Sequence, residues 1–231
     1  MSVPIVLVHG VGLDRSMWDG VAARMPGAIT YDLLGHGVHR DQRPSMPGFV
    51  AQLAEVAPEG ACDIVGFSLG ALIAQEFALA FPARVRRLVL LNGVFRRTAD
   101  ERAAIVARVA AVRSGGYAAN VDEAITRWLP NGGGPAEAVR GVMAGNDPAA
   151  YADAYEVFAT ADAALADRTQ TIGAPTLVAT GELDPRSTPS MAHALAAALP
   201  EARCVVLPGL RHLSPVEAPD VVAELIVDFL S

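Results

Sequence analysis

Short apolar runs rich in β-branched residues alternate along this chain with longer stretches of helical period. The runs Val3–Val8, Ala28–Tyr31, Cys62–Val65, Val85–Leu91, Pro175–Thr180 and Arg203–Leu207 predict six strands. Most are apolar at successive rather than alternate positions, which predicts an α/β class with a mainly parallel sheet covered by helices on both faces. One helix is predicted from Leu69 to Ala80, stopped by Pro82, and another opens at Thr188-Pro189 and closes by Pro200. Ser214-Pro215-Val216-Glu217 joins a capping serine, a proline at the first helical position and a glutamate three residues on. It predicts a capping box at the start of the last helix.

Between Leu91 and Pro175 the strand rhythm stops. Residues 95–171 read as Ala-rich helices separated by Asn131-Gly-Gly-Gly-Pro135 and Asn146-Asp147-Pro148, with a capping box at Thr98-Ala-Asp-Glu101 and a helix break at Gly115-Gly116. About 80 residues exceeds what a crossover between two strands needs. The segment is therefore expected to be an inserted helical lid, dividing the core into residues 1–94 and 172–231.

Composition narrows the chemistry. With 231 residues, 52% of them hydrophobic and 19% charged, the chain can bury one large core, and its apolar runs fall short of a membrane span. A net charge of -7 argues against nucleic acid as a partner. All 18 basic residues are arginine. The lack of lysine excludes Schiff-base catalysis, pyridoxal phosphate anchoring, a Walker-type phosphate loop and a Ser-Lys dyad. Cys62 and Cys204 lie in or beside apolar runs, far apart, and read as free thiols of a reducing compartment; no zinc spacing is present. The start MSVPIVLVHG has neither a basic region nor a small-residue cleavage site, so cytoplasmic residence is expected.

Candidate chemistry centres on Gly66-Phe67-Ser68-Leu69-Gly70, directly between a predicted strand and a predicted helix. A serine in so sharp a strand-to-helix turn takes a strained backbone, and glycines two positions either side remove the Cβ atoms that would collide. Ser68 is the expected nucleophile. A hydroxyl needs a base, and the base needs a carboxylate to fix its tautomer. Of five histidines, His212 lies in the loop between the last strand and the final helix. His9, His36, His39 and His193 compete, but His9 suits turn shaping, His36 loop hydrogen bonding and His193 a helix surface. Asp184, three residues past Gly181, is the expected acid, with Glu182 a nearby competitor and capping of the turn before Pro185 its alternative use. The end of the fourth strand, where an acid could also sit, carries Asn92. Two amide donors for an oxyanion are expected from Leu69 in the elbow and Val11 in the loop His9-Gly10-Val11-Gly12.

Together with Leu7-Val-His-Gly-Val-Gly12, Tyr31-Asp-Leu-Leu-Gly-His-Gly37, Ala174-Pro-Thr-Leu177 and Gly209-Leu-Arg-His212, the elbow makes the chain resemble the α/β-hydrolase family over nearly its whole length. Within it, the chain is similar to small esterases and 3-oxoadipate enol-lactonases through Gly12-Leu-Asp-Arg-Ser-Met-Trp18 and the region 205–219. The resemblance implies hydrolysis of a carboxylic ester or lactone through an acyl-enzyme on Ser68, His212 and Asp184, with no metal or organic cofactor. Serine at 68 sets the chain apart from the dehalogenases and epoxide hydrolases of this fold, which use aspartate there, and the missing lysine from hydroxynitrile lyases. Carbon–carbon bond hydrolases of meta-cleavage products, and a ligand-binding receptor with little turnover, remain alternatives. Family members commonly begin with two more strands, so the first strand here is expected to leave a sheet edge exposed. Trp18, Phe67, Trp128, Met143, Tyr155 and Phe158, with Leu69, are expected either to form an apolar acyl site beneath the lid or to pack as core. Arg127 or Arg97 is expected either to meet a substrate carboxylate or to be solvated.

Overall fold

The computed structural model describes residues 3–231; Met1 and Ser2, the head of the segment read above for a leader, lie outside them. Six strands form one sheet: β1 (Ile5–Val8), β2 (Ile29–Thr30), β3 (Cys62–Phe67), β4 (Val85–Leu91), β5 (Thr176–Gly181) and β6 (Ala202–Leu207). Their order is β2-β1-β3-β4-β5-β6, and every neighbouring pair is parallel. All residues of β3 and β5 are buried, because helices cover both faces and leave these mainly apolar strands no solvated side.

The ten α-helices are α1 (Asp19–Ala22), α2 (Met46–Val56), α3 (Leu69–Ala80), α4 (Ala99–Ala111), α5 (Tyr117–Trp128), α6 (Gly133–Ala144), α7 (Pro148–Leu165), α8 (Pro189–Ala198), α9 (Ser214–Glu217) and α10 (Pro219–Leu230) among the described residues. Four of them, α4 to α7, fill the interval between β4 and β5. Thr98 and Glu101 cap α4 reciprocally, and Asp147 caps α7 through its side chain. Gly115, at φ 93°, kinks the chain between α4 and α5 instead of ending the helix in a loop. The segment is fastened at its start by a buried ion pair: the Arg97 N–H and guanidinium donate to Asp162 of α7 at 2.9 and 2.8 Å.

Two expectations are corrected. The first strand is not an edge, because the short β2 pairs with it through Val6–Ile29 and Leu7–Thr30, leaving β1 flanked on both sides. The capping box at Ser214 does not form. Leu213 stands at the cap position without a side-chain bond. The Ser214 hydroxyl instead donates to Asn92 at 2.7 Å, and the Glu217 carboxylate accepts the Arg211 N–H. Tertiary partners outcompete the local cap for both side chains.

Candidate active site

In a parallel sheet all strands point the same way, so the loops leaving their C-terminal ends gather at one rim. Val11 follows β1, Ser68 follows β3, Asn92 follows β4, Asp184 follows β5 and His212 follows β6.

Ser68 has φ 54° and ψ -112°, a strained backbone for a residue with a side chain, immediately before the first residue of α3. The flanking glycines are required by contact. A Cβ on Gly66 would lie 2.6 Å from the Gly70 carbonyl carbon and 2.8 Å from Ala71 Cα, and one on Gly70 would lie 2.7 Å from the His9 carbonyl oxygen. The turn closes only because backbone packs directly on backbone. Its product is a buried serine whose neighbour, Leu69, presents an N–H with no partner inside the helix.

Asp184 is held by four hydrogen bonds. Its Oδ1 accepts the N–H groups of Arg186 and Ser187 at 2.9 and 3.0 Å, and its Oδ2 meets His212 Nδ1 at 2.7 Å and Asn92 Nδ2 at 2.9 Å. Burial alone would raise its pKa; the charge and hydrogen bond of His212, with the Asn92 and Arg186 donors, outweigh burial and hold it below the usual carboxylate range. An ionised carboxylate only accepts, so Nδ1 of His212 is the donor, and in the neutral ring Nε2 holds the free lone pair. The ring is gripped by Phe67 and Trp128, at centroid distances of 5.2 and 5.4 Å. Glu182 is not joined to His212: its carboxylate accepts the Gly209 N–H.

From sequence Asn92 signals only the lack of an acid at the end of β4. It is fully buried at φ 48°, donates to Asp184, Thr180 and the Arg211 carbonyl, and accepts from Ser214. No local pattern announces this, because its partners are far away in sequence.

The loop after β1 is fixed at both ends of one peptide residue. Gly12 N–H donates to His36 Nε2 at 2.9 Å, and Gly12 C=O accepts from Asn146 Nδ2 at 2.9 Å. His9 Nε2 accepts the Leu33 N–H at 2.9 Å. Both imidazoles donate from Nδ1 to carbonyls, and burial pushes His9 down to about 4 and His36 to about 3, keeping them neutral. Asn146, read from sequence only as a helix separator, reaches the loop from the turn before α7. His39 and His193 are surface residues with no part in the rim.

A cleft between sheet and helices, partly open to solvent, is bounded by Val11, Ser68 and His212 on the sheet side. Trp128, Tyr155, Phe158, Arg97 and Arg127 bound it on the helical side. Four residues read as acyl-site or core candidates do not bound it. Trp18 lies edge-on to Phe67 in the core; Phe67 supports the His212 ring from behind; Met143 is fully buried beside the Gly12 loop, its carbonyl accepting from Tyr117. Leu69 is likewise core. Among the described residues, no three His, Cys, Asp or Glu side chains group so as to hold a metal ion, and Cys62 and Cys204 are free thiols. No described helix is long and apolar enough to cross a membrane.

Residues 5–225 match the family model described as Alpha/beta hydrolase family. The chain is 28% identical over 230 residues to an (E)-2-((N-methylformamido)methylene)succinate hydrolase of Acinetobacter baylyi, covering 95% of this chain and 87% of that one. It is 30% identical over 246 aligned positions to a pimeloyl-[acyl-carrier protein] methyl ester esterase of Neisseria meningitidis, covering 98% and 92%. Its fold superposes on an enol-lactonase structure from Burkholderia xenovorans with a TM-score of 0.87 at 27% identity, covering 100% and 92%.

Proposed function

This chain belongs to the alpha/beta hydrolase family, and from that premise we propose that it is a serine hydrolase cleaving a carboxylic ester or lactone. The observation that carries the reading is the strained Ser68 sharing a cavity with His212, whose other ring nitrogen rests on Asp184. Ser68 Oγ adds to the substrate carbonyl as its proton passes to His212 Nε2, and Asp184 stabilises the imidazolium that results. The negative oxygen is received by the N–H groups of Val11 and Leu69, the latter at the positive end of α3. Collapse expels the alkoxide with the proton from His212 and leaves an acyl-Ser68. Water then adds with His212 again as base, releasing the acid and restoring the serine. Asn92 acts as a positioning residue, orienting Asp184 through Nδ2 while Ser214 fixes its own oxygen. The helices α4 to α7 supply the far wall of the cavity and serve as the lid.

Fluorophosphonate labelling and turnover of a short aryl ester test the reading. Wild type is expected to be labelled on Ser68, and Ser68→Ala to lose turnover by at least about a thousandfold. Saturable ester binding without labelling or turnover by the wild type would instead mark a receptor.

A further inference from the structure

Positive charge is concentrated in this cavity against the balance of the whole molecule. The chain carries a net charge of -7, yet four of its arginines, 97, 108, 127 and 186, line the one cavity that holds Ser68 and His212. The single carboxylate in the same wall, Glu101, already accepts from the Thr98 N–H at 2.7 Å and the Thr98 hydroxyl at 3.0 Å.

The four arginines are not equally satisfied. Arg97 is neutralised by Asp162, but its Nε and one terminal nitrogen are buried without a hydrogen-bond partner. Buried donors left open in this way call for an acceptor. Arg108 donates to a neutral partner, the Tyr155 hydroxyl, at 2.8 Å. Arg127 is mostly buried, and its nearest carboxylate is the solvent-exposed Glu123 at 3.7 Å. Burial, followed by the like charges of Arg108 and Arg186, makes the Arg127 guanidinium hold its proton less tightly than usual. Arg127 thus sits among like charges at the edge of a partly dry space, and a bound anion offsets them while giving its guanidinium an acceptor. Between the arginines the walls are apolar, with Ile105, Ala124 and Phe158 suited to methylene groups.

We propose that the substrate is a carboxylate-terminated acyl compound, such as the half-ester of a dicarboxylic acid. Arg127, flanked by Arg108 and Arg186, receives the distal carboxylate while the ester carbonyl lies at Ser68. This rests on the serine-hydrolase reading of the same cavity. It also makes Arg127 the determinant of which acyl chains are accepted.

The test compares two esters of equal shape, 4-nitrophenyl hydrogen adipate and the corresponding adipamate, in which an amide replaces the carboxylate. Wild type is expected to favour the anion by about tenfold or more in kcat/KM, as removing a charged hydrogen-bond partner typically does. The preference should shrink with added salt and collapse toward unity in Arg127→Gln. Arg186→Gln, on an exposed loop, serves in its place where Arg127→Gln does not fold. Equal rates for the two esters in the wild type, or a preference unchanged in both variants, would overturn the proposal while leaving the hydrolase reading intact. Where neither ester turns over and Ser68 is not labelled, the hydrolase reading fails on its own. Calorimetric titration then decides the charge site: tighter binding of adipate than adipamide supports it, and equal or absent binding of both rules it out.

Discussion

Asp184, buried behind His212, and Arg127, in the cavity wall, carry charges that are handled in opposite ways. The carboxylate receives four donors from three separate loops, including a buried asparagine that is itself fixed by Ser214. The guanidinium has one distant, exposed carboxylate and two like-charged neighbours. A charge that is fully satisfied before any ligand arrives has one orientation and suits chemistry that needs a fixed tautomer. A charge left open is available to a partner that comes and goes. Arg97, on the same wall as Arg127, differs in charge though not in open donors: Asp162 neutralises it through one terminal nitrogen and leaves the other two nitrogens unpartnered.

The strongest way to break this contrast is to free Arg97. Asp162→Ala leaves a guanidinium buried without its counter-charge, and the loss of unfolding free energy is expected at about 3–5 kcal/mol, read from urea midpoints. A loss below about 1 kcal/mol would mean the pair is not closed in solution.

Next comes acid. His9 and His36 bind protons more weakly when folded, at about 4 and about 3, than the 6.5 of a free imidazole. As pH falls below 6.5 the unfolded chain takes up protons first. Stability is therefore full above that value and drains between about 6.5 and 3, with His9 contributing on the order of 3 kcal/mol. The depressed Asp184 adds a loss in the same direction at the acid end. Urea midpoints measured across this range should fall less steeply in His36→Gln than in wild type; parallel slopes would detach the effect from the Gly12 loop.

The smallest effect sharpens the asparagine's role. Asn92→Ala removes one donor from Asp184 without removing the acid, and kcat on an aryl ester is expected to fall about tenfold with KM little changed. An equal fall in Asn92→Ala and Asp184→Asn would make the asparagine more than a positioning residue, and no fall would make it only a packing group.

The strands were legible because largely buried parallel strands read as mainly apolar runs, and β3, β4 and β5 lie within two residues of their predicted ends. The elbow was legible because its sterics are local, with Gly66 and Gly70 close in sequence to the serine they make room for. Asn92 was not, since its meaning depends on β4 lying beside β5 and on Ser214 arriving from the far end of the chain. The same contact is why the Ser214 capping box misled. Met143 and Trp18 stayed open between pocket and core for another reason: apolar spacing tells that a helical residue is covered, but not whether a cavity or the core covers it. Arg108 and Arg186 carried no sequence signal at all, and only the shared cavity groups them with Arg97 and Arg127.

The close approach of Gly70 to the Val8–His9 peptide has a mechanical consequence. Nothing compressible lies between the helix bearing the nucleophile and the strand that leads to Val11, so the two behave as one casting. Warming or solvent change can loosen the helices above without altering the spacing of the two amides, and any side chain introduced at position 70 would act as a wedge driven into that joint.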